Sequence, residues 1–346
     1  MERDKILIFK LGLLGDVLMT TPFVRQLRRI FPHAEIQYWV GGSYRAALEG
    51  NHHLSSIVDF DERLFFQYDL RAAFQLWRKL RKERFEIGFF LGKHWIFNAF
   101  SASLGIPRRI GFARESISRL FLTDATCYRD LRHEVYYYLD LLRFVGDPDY
   151  ADVKMDVSVA RSAEERVEID LDEIDFRSFV AVINSGGNNA GETQFARRLP
   201  VNFFENLVFA LSKKQPVALL GNAADREHYA KFSFPENVKN LAGKLTFQES
   251  LAVMKRAARV FSTDCGGMHM AACVNEHLTA FFGPAHPERK APFLSDIEIV
   301  WPDRDHYDPR YDLYNVGPRG HSFQHISYSR DGETINAFSQ IAGAPA

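Results

Sequence analysis

Cysteine is scarce in this 346-residue chain: Cys127, Cys265 and Cys273 are the whole complement. Three irregularly spaced thiols supply neither a disulfide framework nor a four-thiolate zinc site, so a reducing, cytoplasmic compartment is expected. Long apolar runs are missing too. The run from His94 to Pro107 is broken by polar residues, Gly105 and Pro107, and stops short of the ~18 residues that a membrane helix needs. The opening Met-Glu-Arg-Asp leads straight into an apolar segment, without the basic region and cleavage site of a secretory signal. Neither sign of charge dominates, with 43 Lys and Arg against 44 Asp and Glu, so no global field draws in nucleic acid. The balance is uneven along the chain, because residues 1–150 carry 22 cations and 18 anions, leaving 21 and 26 for the rest.

A hydrophobic share of 46% and a charged share of 25% describe a globular protein, and the length favours two domains. The first apolar segment, Lys5–Lys10, is followed by Gly12, Gly15 and Asp16 and then by a helical pattern through Val17, Leu18, Phe23, Val24, Leu27 and Phe31. Strands are expected again at Glu35–Val40, Ile57–Phe60 and Ile87–Leu91. Between Asp147 and about Arg177 the text turns charged, which reads as a linker. Phe179–Ile183, Val217–Leu220, Val238–Leu241, Val260–Ser262 and Leu278–Phe282 then follow as strands closed by glycines or turns. Strands alternating with helices predict α/β architecture, with two Rossmann-like doubly wound domains at 1–160 and 161–325. A helix from about Gly332 and a fraying tail are expected over 326–346.

Ligands of such folds gather where strands hand over to helices. At the first handover the glycines admit close backbone approach, and Asp16 suits either an ordinary helix cap or a base that accepts a proton. The spacing is not G-x-G-x-x-G and no acidic residue ends the second strand, which disfavours a dinucleotide dehydrogenase. In the second half, Gly266 and Gly267 offer amides to a phosphate or diphosphate, with Asp264 and His269 beside them. Cys265, at the same helix start, is expected to favour a thiolate. Ser185 and Gly186 open a further polar loop at a strand end, continued by Gly187, Asn188 and Asn189. Metal sites find little support: Asp59/Asp61, Asp170/Asp172 and Asp303/Asp305 are chance-level D-x-D pairs, and the twelve histidines form no H-E-x-x-H. Arg71–Arg84 sets six cations around Phe74, Leu76, Trp77 and Leu80, a pattern that suits either a helix covering a sheet or a patch for anionic lipid.

From Lys5 to Pro292 the chain resembles the lipopolysaccharide heptosyltransferases of glycosyltransferase family 9. Gly15-Asp16-Val17-Leu18-Met19-Thr20-Thr21-Pro22 is similar to the G-D-x-x-x-T-x-P signature, and Asp264-Cys265-Gly266-Gly267-Met268-His269 to D-[ST]-G-x-x-H. Asn240–Thr246 and Phe282–Pro287 resemble two further stretches of the family. The resemblance implies a GT-B fold, two Rossmann-like domains facing a central cleft, and inverting transfer of heptose from ADP-heptose with no bound metal and no cofactor. It implies that Asp16 is the general base, and that Ser185, Gly186, Asp264, Cys265, Gly266, Gly267 and His269 hold the donor, with Arg197 completing a phosphate clamp. The partner expected on the other side is an anionic glycolipid of the inner core. Lys93, Arg108, Arg109 and Arg114 are expected to reach the same edge as Asp16 and bind it, with peripheral contact to the inner face of the cytoplasmic membrane. Cys265 stands where Thr or Ser is usual, Leu199 where tryptophan is common, and Ala285 in place of a threonine. These departures all fall in the donor half and leave another nucleotide sugar as the alternative to ADP-heptose. A catalytically silent module binding a nucleotide sugar or glycolipid is a further alternative, against which Asp16 argues.

Overall fold

The fold is that of a computed structural model, which describes residues 4–66, 69–173, 178–186, 197–302 and 304–309. The chain divides into two compact units, Met1–Ser158 and Val159–Ala346. The expected helix from Gly332 and its tail lie outside the described residues.

The first unit has strands β1 (Lys5–Lys10), β2 (Glu35–Gly41), β3 (Ser56–Phe60), β4 (Ile87–Phe90), β5 (Arg108–Ala113) and β6 (Asp124–Cys127). Its helices are α1 (Leu14–Leu18), α2 (Thr21–Ile30), α3 (Arg63–Phe66), α4 (Leu70–Lys82), α5 (Trp95–Ser103) and α6 (Glu134–Asp140). All six strands are parallel, in the order β3-β2-β1-β4-β5-β6. A parallel sheet covered on both faces needs strands that are apolar throughout, and Ile6, Leu7, Ile8 and Phe9 are all buried. Leu7, Phe9, Trp39 and Phe90 pack with Leu76 and Leu80 of α4, whose first turn is capped by Asp69 accepting from the Ala72 amide at 3.0 Å.

The second unit repeats the plan with β7 (Val180–Ile183), β8 (Val217–Leu220), β9 (Val238–Asn240), β10 (Val260–Thr263), β11 (His277–Phe281) and β12 (Asp296–Val300). Its helices are α7 (Arg161–Glu173), α8 (Val201–Ser212), α9 (Ala223–Tyr229), α10 (Phe247–Arg256), α11 (Gly266–Val274) and α12 (Pro287–Lys290). The order β12-β11-β10-β7-β8-β9 is again wholly parallel and reverses direction at its first strand. Thr246 and Glu249 form a reciprocal cap at the start of α10. Just before it, Gly243 turns with φ +64°, and a Cβ there would lie 2.9 Å from Cα of Ala223. Gly243→Ala therefore combines left-handed strain with a backbone clash, and a loss of at least ~1 kcal/mol of unfolding free energy is expected, read from a lower urea midpoint.

Three differences from the sequence reading have physical causes. The expected linker contains α7, which packs on α10 through Lys255–Glu164 (2.7 Å) and Arg166–Glu249 (3.2 Å). Its charges are what disguised it. The single helical pattern after β1 is two helices, because the hydroxyls of Thr20 and Thr21 turn back to the Val17 and Leu18 carbonyls (2.6 and 2.8 Å) and Pro22 begins the next helix. Finally β5, β6 and β12 escaped notice, since charged, polar or small residues interrupt their apolar runs.

Candidate functional site

In each sheet the strand order reverses once, between β1 and β4 and between β7 and β10. Helices leave these paired strands on opposite faces, which opens a crevice at the carboxyl edge. The expected catalytic and donor residues fall at these two places.

After β1, Gly12 turns with φ +57° and the chain enters α1, whose cap is Leu13; Asp16 lies in the first turn and is not the cap. Lys10, the last residue of β1, is 4% exposed and brings Nζ to 3.8 Å from Oδ2 of Asp16 and 5.8 Å from the centre of the Tyr138 ring. A buried ammonium needs such a counter-charge. Burial pushes the phenols of Tyr38 and Tyr138 well up, and the nearby Asp16 carboxylate pushes them further. Both therefore stay neutral beside it. Tyr38 is held by a hydrogen bond to Thr20 at 3.0 Å. Glu62 also reaches this edge: burial pushes its carboxyl up, while the Gly12 amide donates to it and partly offsets that push. Lys10, Tyr38, Tyr138 and Glu62 were not anticipated. A lysine closing an otherwise apolar strand was the one legible signal among them.

The acceptor-side cations divide. Lys93 follows β4 at the same edge, with Nζ 2.8 Å from Glu134 and 4.5 Å from the Tyr128 ring centre. Arg114 follows β5, 3.9 Å from Glu115. Arg108 and Arg109 do not belong with them. They begin β5 in register with Ile87 and Gly88 at the start of β4, so they occupy the opposite, amino edge of the sheet. The cause is α5, which carries the chain back across the sheet between Lys93 and Arg108. There Arg108 binds Asp124 and the Phe144 carbonyl, and Arg109 donates to the Ile106 and Phe121 carbonyls.

At the second crevice, Ser185 follows β7, and its amide donates to the Thr263 hydroxyl (3.1 Å), which donates to the Ser185 carbonyl (2.7 Å). One side chain thus ties the ends of β7 and β10 together. The buried Asp264 carboxylate receives Arg197 at 2.6 Å. Gly266 and Gly267 form the first turn of α11, and a Cβ on Gly267 would press on Ile183 at 3.0 Å. His269, one turn further, is buried at 3% exposure. Gly186 is buried after Ser185, while Gly187, Asn188 and Asn189 lie outside the described residues. Beneath the site, Asn184 accepts the Leu199 amide at 2.8 Å, and Arg198 meets Asp225 at 2.5 Å; neither contact was foreseen.

Cys265 corrects the expected thiolate. It sits at the cap position of α11 with its Sγ 3.7 Å from the Ser262 hydroxyl, and burial pushes its thiol up. Iodoacetamide at mildly alkaline pH is expected to modify the exposed Cys127 in the native protein and Cys265 only on unfolding; peptide mapping of labelled cysteines checks this. Of the D-x-D pairs, Asp59 is bound by Arg45 (2.9 Å) and Asp61 by Arg63 (2.7 Å), and Asp303 lies outside the described residues. Among the described residues, no group of three metal-ligating side chains comes together. None of their helices is long and apolar enough to cross a membrane.

Two doubly wound units in one chain, each with polar groups gathered at its switch point, give the GT-B architecture. Residues 73–312 match glycosyltransferase family 9 (heptosyltransferase), and the chain belongs to that family. It is 22% identical over 299 residues to lipopolysaccharide heptosyltransferase 3 of Escherichia coli K12, covering 83% of this chain and 85% of that protein. Lipooligosaccharide heptosyltransferase 2 of Haemophilus influenzae is 33% identical over 112 residues, a match spanning 30% of this chain and 32% of that relative. Among solved structures, a family 9 glycosyl transferase of Veillonella parvula superposes with TM-score 0.76 at 19% identity, over 92% of this chain and 93% of that one. E. coli heptosyltransferase WaaC with ADP gives TM-score 0.69 at 14% identity, over 97% and 98%.

Proposed function

We propose that the protein is an inverting, metal-independent heptosyltransferase that moves heptose from ADP-heptose to an anionic inner-core glycolipid at the inner face of the cytoplasmic membrane. The observation that carries the reading is the Asp16 carboxylate at the β1 switch point, with the buried Lys10 ammonium 3.8 Å away. Asp16 takes the proton from an acceptor hydroxyl as that oxygen attacks the anomeric carbon and the bond to the diphosphate breaks. The sugar configuration inverts, and ADP leaves with the bonding electron pair. In the second unit, the amides of Gly266 and Gly267, with Ser185, Gly186, Cys265, Asp264, His269 and Arg197, hold the donor. Arg197 and the amides offset the charge that grows on the leaving diphosphate. Lys93 and Arg114 serve an anionic acceptor, to which cations give attraction and guanidinium forks orientation.

The test is transfer by the purified protein from ADP-heptose to heptose-deficient inner-core lipid in excess EDTA, beside a panel of other nucleotide sugars. Turnover with ADP-heptose alone, undiminished by EDTA and giving inverted product, is expected. Dependence on added Mg²⁺ or Mn²⁺, or preference for another nucleotide sugar, would replace the corresponding part of the proposal.

A further inference from the structure

The face of the first sheet that carries α4 and α5 has apolar side chains turned to solvent. Leu70 in the first turn of α4 is 81% exposed and Phe74, one turn on, 58%. Ile96 in the first turn of α5, and Ile117 and Leu120 in the 3₁₀ segment Ser116–Leu120, are exposed as well. Right-handed connections place these segments on one face, and contacts knit them together. The Trp77 indole donates to the Ser103 carbonyl at 3.1 Å, and Trp95 stacks on Phe121 at 6.4 Å. Each segment follows a strand of a parallel sheet, so its first turn lies toward the carboxyl edge, the edge of Asp16 and Lys93.

Charge says what covers this surface. Continuing the ridge of Leu70 and Phe74 along α4 come Arg78 and Lys82, with Arg71, Lys79, Arg81 and Arg84 around them. Glu83 is the single acidic residue in this stretch, and it is already bound by Lys5 at 2.5 Å. Gln75, Arg78, Lys79 and Lys82 line a recess of about 310 Å³, large enough for a phosphate group. Lys79 and Arg81 lie over the Trp39 and Trp77 rings, both at 5.1 Å, which fixes their stems and leaves their charge. A second copy docked by this ridge would set cations against cations. An anionic bilayer instead receives the apolar tips at its acyl boundary and the cations at its headgroups.

We propose that the outer face of α4, with the exposed turns of α5 and Ser116–Leu120, docks on an anionic lipid surface and brings the Asp16 edge alongside it. This deepens the proposed function, on whose glycolipid acceptor it rests, by naming the surface that meets the membrane.

The experiment is co-sedimentation of the full chain with vesicles of phosphatidylcholine, with or without phosphatidylglycerol, no donor or acceptor being present. Binding is expected with phosphatidylglycerol vesicles, with loss at high salt and little binding to phosphatidylcholine alone. R78E/K82E is expected to weaken it by at least roughly 30-fold, at about five-fold for each cation lost. L70S/F74S should weaken it about ten-fold, with transfer to a delipidated, water-soluble acceptor unchanged. Salt-insensitive binding, or binding unaltered in both variants, overturns the proposal, as does a dimer of the native chain that L70S/F74S dissolves. Vesicle binding without heptose transfer would sink the enzymatic reading and leave this one standing; transfer without vesicle binding would do the reverse.

Discussion

Asp16→Asn is expected to lower turnover by about 10² to 10⁴-fold, the range for loss of a general base, with donor affinity kept within a few-fold. The amide keeps the shape of the carboxylate and cannot take a proton at neutral pH. Donor binding survives because the proposed donor groups belong to the second unit. The substitution also removes a counter-charge from Lys10, which is 4% exposed, so a fall in melting temperature is expected alongside the kinetic one. Lys10→Met added to Asp16→Asn separates the two effects: it restores much of the melting temperature, by removing the buried charge, and none of the turnover. Single-turnover rates, donor titration and thermal unfolding of the three proteins check this. Near-native turnover in Asp16→Asn would remove the aspartate from the chemistry.

Arg198→Met is expected to produce the largest loss of stability. Arg198 and Asp225 side chains are 8% and 1% exposed and 2.5 Å apart, and the Asp225 carboxylate also accepts from the Asn222 amide at 2.9 Å to cap α9. Removing the guanidinium leaves a buried anion short of its cation, at a cost of about 3–5 kcal/mol. For a unit of this size that corresponds to a melting temperature lower by roughly 10 °C. Urea unfolding of the native and variant proteins checks the size. Asp225→Asn added to Arg198→Met is expected to recover much of the loss, by removing the stranded charge. A double variant no more stable than Arg198→Met would show that lost packing is responsible instead.

What the sequence disclosed of the fold was its apolar strands, the edge strands β3 and β9 included. Lys5–Lys10, Phe179–Ile183 and Val217–Leu220 are buried on both faces and read as continuous apolar runs. Elements whose residues break such a run were hidden by the same rule. β6 is Asp-Ala-Thr-Cys at a sheet edge, and α7 shows solvent a mostly charged surface. Asp16 and Asp264 were legible because glycines mark the turns that present them. The pairing of Arg197 with Asp264 and the strap from Thr263 to Ser185 were not, since they join positions 67 and 78 residues apart. Arg108 and Arg109 show the opposite failure, in which closeness along the chain to Lys93 was mistaken for closeness in space. A single unrecognised helix and strand were enough to put them at the wrong end of the sheet.

The two sheets are each assembled from an uninterrupted stretch of chain, with no described strand crossing from one unit to the other. That arrangement has a bearing on biosynthesis. By the time Ser158 has left the ribosome, every strand of the first sheet and the helices on both its faces are available. The amino-terminal half can thus finish its hydrophobic core during translation, domain by domain, as multidomain chains do. The growing carboxyl-terminal half then collapses beside a folded neighbour that offers it no unpaired central strand to invade.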